Sequence, residues 1–181
     1  MRQTILEANG RYDVLDAWFT QNHVQRAMLV CGRSIAGLKI NEYLQKVPER
    51  LGTEIVRFMD FQPNPRYESV IEGVKLFRES GCDAVIAVGG GSAMDVAKCI
   101  KLYFALPGDG AGGAWLKAKP APNDVPFLAM PTTSGTGSEA TRFAVIYYDG
   151  AKQSVSDLSC IPGTVLMDAS VLKTLDRKSV V

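Results

Sequence analysis

The sequence predicts an α/β fold, a doubly wound domain built on a mostly parallel β-sheet. Short apolar runs alternate with amphipathic stretches along the chain, which is the pattern of a parallel sheet covered by helices. The length of 181 residues fits one domain with a full core and is marginal for two. We therefore expect one domain that spans residues 1–181.

The apolar runs are interpreted as strands, and the amphipathic stretches as helices with one buried face. The predicted strands cover residues 27–31, 54–58, 84–88, 127–130 and 164–167. The predicted helices cover residues 35–47, 67–80 and about 93–104. In the first helix, the apolar positions that define the buried face are Ala36, Ile40, Tyr43, Leu44 and Val47.

Two stretches interrupt this alternation. Residues 106–126 are rich in glycine and proline, which predicts a long surface loop. Residues 143–148 and 152–155 flank the dipeptide Asp149-Gly150. Because Asp-Gly favours tight hairpin turns, this segment is predicted to be a β-hairpin.

Composition argues against several classes of partner. The formal net charge is +1, so no strong field attracts nucleic acid or anionic lipid. No stretch approaches the ~20 apolar residues that a membrane span needs, and the first residues lack the pattern of a secretory signal. The cysteines are Cys31, Cys82, Cys99 and Cys160, and no two of them form a CxxC pair. Reduced thiols and a cytoplasmic location are therefore expected.

A glycine-rich turn, Gly89 to Gly91, follows one buried strand and opens a helix at Ser92. Glycines permit a tight turn and close approach of a ligand. The start of the helix offers free N–H groups and a positive dipole end, which suit a pyrophosphate. The usual GxGxxG spacing is absent. The alternative is a structural one, in which Ser92 and Asp95 only form a capping box.

A hydroxyl-rich loop, residues 131–141, follows the strand predicted at residues 127–130. Ligands of open α/β sheets bind at such carboxyl ends, and hydroxyl and amide donors can hold a phosphate or a ribose. No Gly-Lys-Ser/Thr occurs, so this is not the phosphate loop of nucleotide hydrolases. A solvated loop without a ligand is the alternative interpretation.

Taken together, these motifs resemble the iron-containing (group III) alcohol dehydrogenase family, and the resemblance covers essentially the whole chain. Its two main elements are Gly89-Gly90-Gly91-Ser92-x-x-Asp95-x-x-Lys98 and Pro131-Thr132-Thr133-Ser134-Gly135-Thr136-Gly137-Ser138-Glu139. Further matches are the Pro63-Asn64-Pro65 turn, Lys152, and Ile161-Pro162 leading to Asp168.

The resemblance implies a Rossmann-like domain that binds NADP or NAD for an alcohol or aldehyde oxidoreductase. It implies that residues of the glycine turn and of the helix after it contact the pyrophosphate and nicotinamide side of the cofactor. These residues are Gly89, Gly90, Gly91, Ser92 and Asp95. It also implies that Thr132, Thr133 and Thr136 line the cofactor loop and that Lys152 reaches a cofactor ribose. The expected partners are a nicotinamide dinucleotide and, in a complete enzyme, a small alcohol or aldehyde.

The metal site of the family is expected to be missing from this chain. By the resemblance, the Fe²⁺ or Zn²⁺ ligands are an Asp-x-x-x-His pair and two later histidines, in an all-helical second domain beyond Val181. The single histidine, His23, is interpreted as a surface residue, and Asp168 as structural. We therefore expect no catalytic residue in this chain and little activity from it alone. An apolar face left by the missing domain would also favour a homodimer.

The end of the strand at residues 27–31 departs from the family pattern. Gly32 stands where the family commonly has an aspartate that accepts the adenosine ribose hydroxyls, and Arg33 follows it. Removing a carboxylate and adding a guanidinium favours a phosphate at that ribose, so NADP is predicted over NAD. In the alternative, Gly32 only forms the turn and Arg33 faces water.

Two other functions are kept as alternatives. A phosphosugar-binding module would explain the hydroxyl-rich loop, but it leaves the glycine turn and the Pro-Asn-Pro turn unexplained. A non-catalytic domain with an assembly or regulatory role is the second alternative, because the chain lacks the metal-binding half.

Overall fold

A parallel sheet lies at the centre of residues 3–174, the part of the chain that this computed structural model describes. Its strands are β1 (Thr4–Glu7), β2 (Arg26–Cys31), β3 (Glu54–Phe58), β4 (Ala84–Gly89), β5 (Phe127–Pro131) and β8 (Thr164–Met167). They lie in the order β1-β8-β5-β4-β2-β3, and each pair of neighbours is parallel.

Helices cover both faces of this sheet. They are α1 (Val14–Gln21), α2 (Lys39–Leu51), α3 (Tyr67–Glu79), α4 (Gly91–Tyr103) and the short α5 (Ala114–Lys117). Helices α1 and α2 pack on one face through Leu15, Phe19 and Leu44, whereas α3 and α4 pack on the other through Val74 and Val96. The predicted doubly wound, Rossmann-like α/β fold is confirmed.

The strand order reverses direction between β2 and β4. The chain passes from β2 outward to β3, and then crosses back over β2 to β4 before continuing to β5 and β8. The connections on the two sides of this point lie on opposite faces of the sheet, which leaves a crevice at the carboxyl ends of β2 and β4. Open α/β sheets bind their ligands in such a crevice.

A hairpin and an anchored loop complete the fold. Strands β6 (Phe143–Tyr148) and β7 (Ala151–Ser156) form the predicted antiparallel hairpin, and Asp149 at its turn has a positive φ of 49°. The predicted loop at 106–126 does lack strands, but it contains α5, whose Trp115 is buried against Tyr67. No helix in residues 3–174 combines the length and apolar character that crossing a bilayer requires.

Gly73 allows α3 and α4 to approach closely. A Cβ at this position would lie 2.4 Å from Cδ1 and 2.9 Å from Cγ1 of Ile100, a fully buried residue. We expect Gly73→Val to lower the free energy of unfolding by about 2 kcal/mol through overpacking. Urea unfolding measures this, with Gly37→Val as the control because a Cβ there meets nothing within 4 Å. Equal stability of the two variants would contradict the described helix packing.

Candidate functional site

The glycine turn and the hydroxyl-rich loop lie side by side at the carboxyl edge of the sheet. The turn follows β4 and the loop follows β5, and these strands are neighbours with Gly89 in register with Pro131. The two segments are in direct contact where they begin, because the amide of Thr132 donates to the carbonyl of Gly89 over 3.0 Å. The two motifs therefore form one site, next to the crevice between β2 and β4.

The glycine turn leads directly into an uncapped helix. Gly89 has a φ of 156°, and a Cβ there would lie 2.7 Å from the Cβ of Ala93. Gly90 is the N-cap residue of α4, and no side chain caps the helix. The capping box considered for Ser92 and Asp95 is therefore not formed. The amide groups of the first turn remain available to an anion.

The glycines are also required by the neighbouring loop. A Cβ on Gly90 would lie 2.9 Å from Oγ1 of Thr133, and a Cβ on Gly91 would lie 3.3 Å from Cγ2 of Thr136. The glycine turn thus accommodates threonines of the loop as well as any ligand. The sequence did not reveal this interlocking, since it depends on strand order.

Two charged residues on one flank of α4 hold the hydroxyl-rich loop in place. Asp95 accepts hydrogen bonds from Oγ of Ser138 over 2.9 Å and from the amide of Val145 over 3.1 Å. Lys98 donates to the same Ser138 Oγ over 3.1 Å and to the carbonyl oxygen of Phe143 over 2.7 Å. The loop and the start of β6 are therefore tied to the helix whose first turn forms the anion site.

Burial perturbs both of these charges. It raises the pKa of Asp95 above its ordinary value, against the opposing effects of the Ser138 and Val145 hydrogen bonds and of the Lys98 charge. It lowers the pKa of Lys98, and the nearby Asp95 opposes that shift. In both cases desolvation outweighs the mutual attraction of the pair.

A cavity of about 430 Å³ opens where these segments meet. Its lining includes the predicted site residues Gly91, Ser92, Asp95 and Thr136. The predicted Pro-Asn-Pro turn contributes Asn64 and Pro65 from the other side. This turn is fixed to β6 by the amide of Tyr147, which donates to the carbonyl of Pro65 over 2.8 Å. Segments far apart in sequence thus converge on one concave site.

Lys152 does not line this cavity. It is exposed on β7 and faces Tyr147 of β6 in the hairpin register. Residues opposite each other on paired strands project to the same face, and Tyr147 lines the cavity. The side chain of Lys152 therefore projects from the same face of the hairpin as that of Tyr147.

Gly32 and Arg33 lie at the other side of the crevice, at the carboxyl end of β2. Gly32 precedes a short 3-10 helix that starts at Arg33. The exposed Arg33 lines a separate surface depression together with Arg57 of β3. Arg57 is held there by a hydrogen bond of 2.7 Å to Oδ1 of Asn41. Sequence reasoning missed Arg57, because only strand pairing brings it next to the end of β2.

Residues 3–174 contain no group of three or more His, Cys, Asp or Glu side chains that could hold a metal ion. His23 is exposed after α1, as predicted. Asp168 accepts a hydrogen bond of 2.5 Å from the hydroxyl of Tyr12 and another of 2.9 Å from the amide of Ser170. These contacts fit its interpretation as a structural residue. The described residues therefore do not fit an iron or zinc site.

Comparison with known proteins places these motifs in one family. The family profile described as iron-containing alcohol dehydrogenase matches residues 3–169. The chain is 34% identical over 153 residues to the NAD-dependent methanol dehydrogenase of Bacillus methanolicus, covering 82% of this chain and 39% of that protein. It is 32% identical over 162 residues to the NADPH-dependent butanol dehydrogenase of Clostridium saccharobutylicum, covering 85% and 41%.

Solved structures show the same relation. The NADH-dependent butanol dehydrogenase A of Thermotoga maritima matches with a TM-score of 0.87 and 25% identity, over 98% of this chain and 45% of that one. The sulfoacetaldehyde reductase of Bifidobacterium kashiwanohense, in complex with NAD+, matches with a TM-score of 0.84 and 25% identity, over 98% and 47%. The chain thus spans less than half the length of the relatives that it matches.

Proposed function

This chain belongs to the iron-containing alcohol dehydrogenase family. We propose that residues 1–181 are the dinucleotide-binding domain of an enzyme of that family. The observation that carries this proposal is the uncapped first turn of α4, which lies beside the hydroxyl-rich loop at the reversal of strand order. Free amides and a helix dipole at that place suit the pyrophosphate of a nicotinamide dinucleotide.

The proposed contacts follow from the positions of the residues. The amides of Gly90, Gly91 and Ser92 hold the pyrophosphate, with Gly89 providing the turn. Asp95 lies toward the nicotinamide side, and Lys152 contacts a ribose. The loop threonines Thr132, Thr133 and Thr136 line the site on the side of β5. When bound, the nicotinamide supplies hydride transfer to or from a small alcohol or aldehyde in a complete enzyme. The domain itself orients the cofactor.

NADP is the proposed preference. Gly32 leaves no carboxylate to repel a 2′-phosphate, and the depression beside it contains two guanidinium groups, those of Arg33 and Arg57. The same depression also contains Asp60, Glu72 and Glu79, whose carboxylates oppose a phosphate there. Because Arg33 is exposed, the strength of its contact is sensitive to salt.

Metal binding is expected to be absent from the isolated chain. Catalytic iron and zinc sites gather about three protein ligands in one place. We expect elemental analysis of the dialysed protein to find no stoichiometric iron or zinc, and alcohol oxidation to be at background. One tightly held ion per chain would contradict this prediction.

Titration with NADPH, followed by nicotinamide fluorescence, tests the proposed function. Saturable binding with one equivalent of cofactor is expected, and light scattering in the same samples reports whether the chain forms a homodimer. A protein that does not bind NADPH but binds glucose 6-phosphate would be a phosphosugar-binding module. A protein that binds neither would contradict both ligand-binding functions and favour the assembly or regulatory alternative.

A further inference from the structure

Helix α4 contains two buried lysines that reach different loops. Lys98 is fully buried and Lys101 is 4% exposed. Lys101 donates to the carbonyl and side-chain oxygens of Asn123, in the segment before β5. Lys98 instead points to the hydroxyl-rich loop. Because buried ammonium groups are costly unless their protons are hydrogen-bonded, each lysine must hold its acceptors in place.

The acceptors of Lys98 all belong to one short segment. Its Nζ lies 2.8 Å from the carbonyl oxygen of Thr141, 3.3 Å from the hydroxyl of the same residue and 2.7 Å from the carbonyl oxygen of Phe143. A further contact of 3.1 Å goes to Oγ of Ser138. The ammonium thus fixes both the end of the hydroxyl-rich loop and the first residue of β6.

Ser138 transmits this constraint toward the glycine turn. Its hydroxyl accepts from Lys98 and donates to Asp95, so it is held from both sides. Its amide donates to Oγ1 of Thr136 over 3.3 Å, and the methyl group of Thr136 packs against Gly91. A continuous series of contacts therefore joins Lys98 to the first turn of α4.

We propose that Lys98 is a positioning residue, which sets the hydroxyl-rich loop against the glycine turn through Ser138. The proposal rests on the proposed function, because the geometry that it maintains is that of the cofactor site. Lys98 touches no cofactor itself. It acts by holding Thr136 and the loop where a dinucleotide bound at α4 would meet them.

The test compares Lys98→Met with Lys101→Met, which removes the other buried ammonium from the same helix. Amide hydrogen exchange is measured without cofactor, and NADPH affinity is measured by fluorescence. In Lys98→Met we expect exchange in residues 132–141 to rise about tenfold or more and NADPH binding to weaken by a similar factor. In Lys101→Met we expect both to stay near the parent values, while exchange rises around Asn123.

Equal effects of the two variants on residues 132–141 would show that Lys98 contributes only general stability, and would overturn the proposal. If Lys98→Met does not fold, Ser138→Ala removes the central hydroxyl and leaves Lys98 its carbonyl acceptors. Unchanged exchange and affinity in that variant would also overturn it. If the parent chain binds no NADPH, the proposed function fails, and the exchange comparison still decides whether Lys98 holds the loop.

Discussion

Replacement of Gly91 by Val is expected to weaken NADPH binding about tenfold or more, which corresponds to about 1.4 kcal/mol. The valine Cβ would lie 3.3 Å from Cγ2 of Thr136 before its two methyl groups are added. Those methyl groups would push the loop away from α4 or occupy the space of the pyrophosphate. Either displacement removes contacts between the cofactor and the site. Nicotinamide fluorescence measures the loss.

Gly163→Val provides the matched control, because a Cβ on Gly163 meets nothing within 4 Å and this residue precedes β8 at the opposite edge of the sheet. We expect this control to bind NADPH as the parent does. A folded Gly91→Val protein with unchanged affinity would exclude the glycine turn as the pyrophosphate site.

Replacement of Gly32 by Asp is expected to reverse the cofactor preference. We expect a charge-assisted contact at the ribose to contribute roughly 1.5–3 kcal/mol, and less where it is exposed, so NADPH should bind roughly ten- to a hundredfold more tightly than NADH. This gap should narrow as salt is added, because Arg33 is exposed. The new carboxylate would repel the 2′-phosphate and accept the ribose hydroxyls of NADH.

Gly37→Asp adds the same charge five residues further along, at an exposed glycine, and should leave the preference unchanged. Equal affinity of the parent for the two cofactors would show that Arg33 faces only solvent. A Gly32→Asp protein that still prefers NADPH would place the adenosine ribose elsewhere.

The sequence was sufficient for the central strands and for placing the glycine turn and the hydroxyl-rich loop at the ends of two of them. The strands predicted at 84–88 and 127–130 are β4 and β5 with one residue added at the end of each. Their apolar runs are buried on both faces, which gives a strong signal. By contrast, β1 was missed because it is an edge strand with three exposed residues out of four. Helix α2 begins at Lys39 rather than at residue 35, since a 3-10 helix precedes it.

The internal structure of the site could not be predicted in the same way. Ser92 and Asp95 have the spacing of a capping box, but tertiary contacts direct Asp95 to Ser138 and Val145. From the sequence, Lys98 was identified only as part of a motif, and its role in the loop was not predicted. A lysine on the buried side of an amphipathic helix nevertheless requires hydrogen-bond acceptors from another segment. The strand order determines which loop supplies those acceptors, and the local sequence pattern does not reveal the strand order.

The central claim is that a nicotinamide dinucleotide binds where the glycine turn meets the hydroxyl-rich loop. The most direct test is to follow the amide NMR signals of the isotope-labelled chain during addition of NADPH. We predict saturable shifts centred on Gly89, Gly90, Gly91 and Ser92 and on the threonines of the loop. A saturable response centred elsewhere, or none at all in these amides, would contradict the claim.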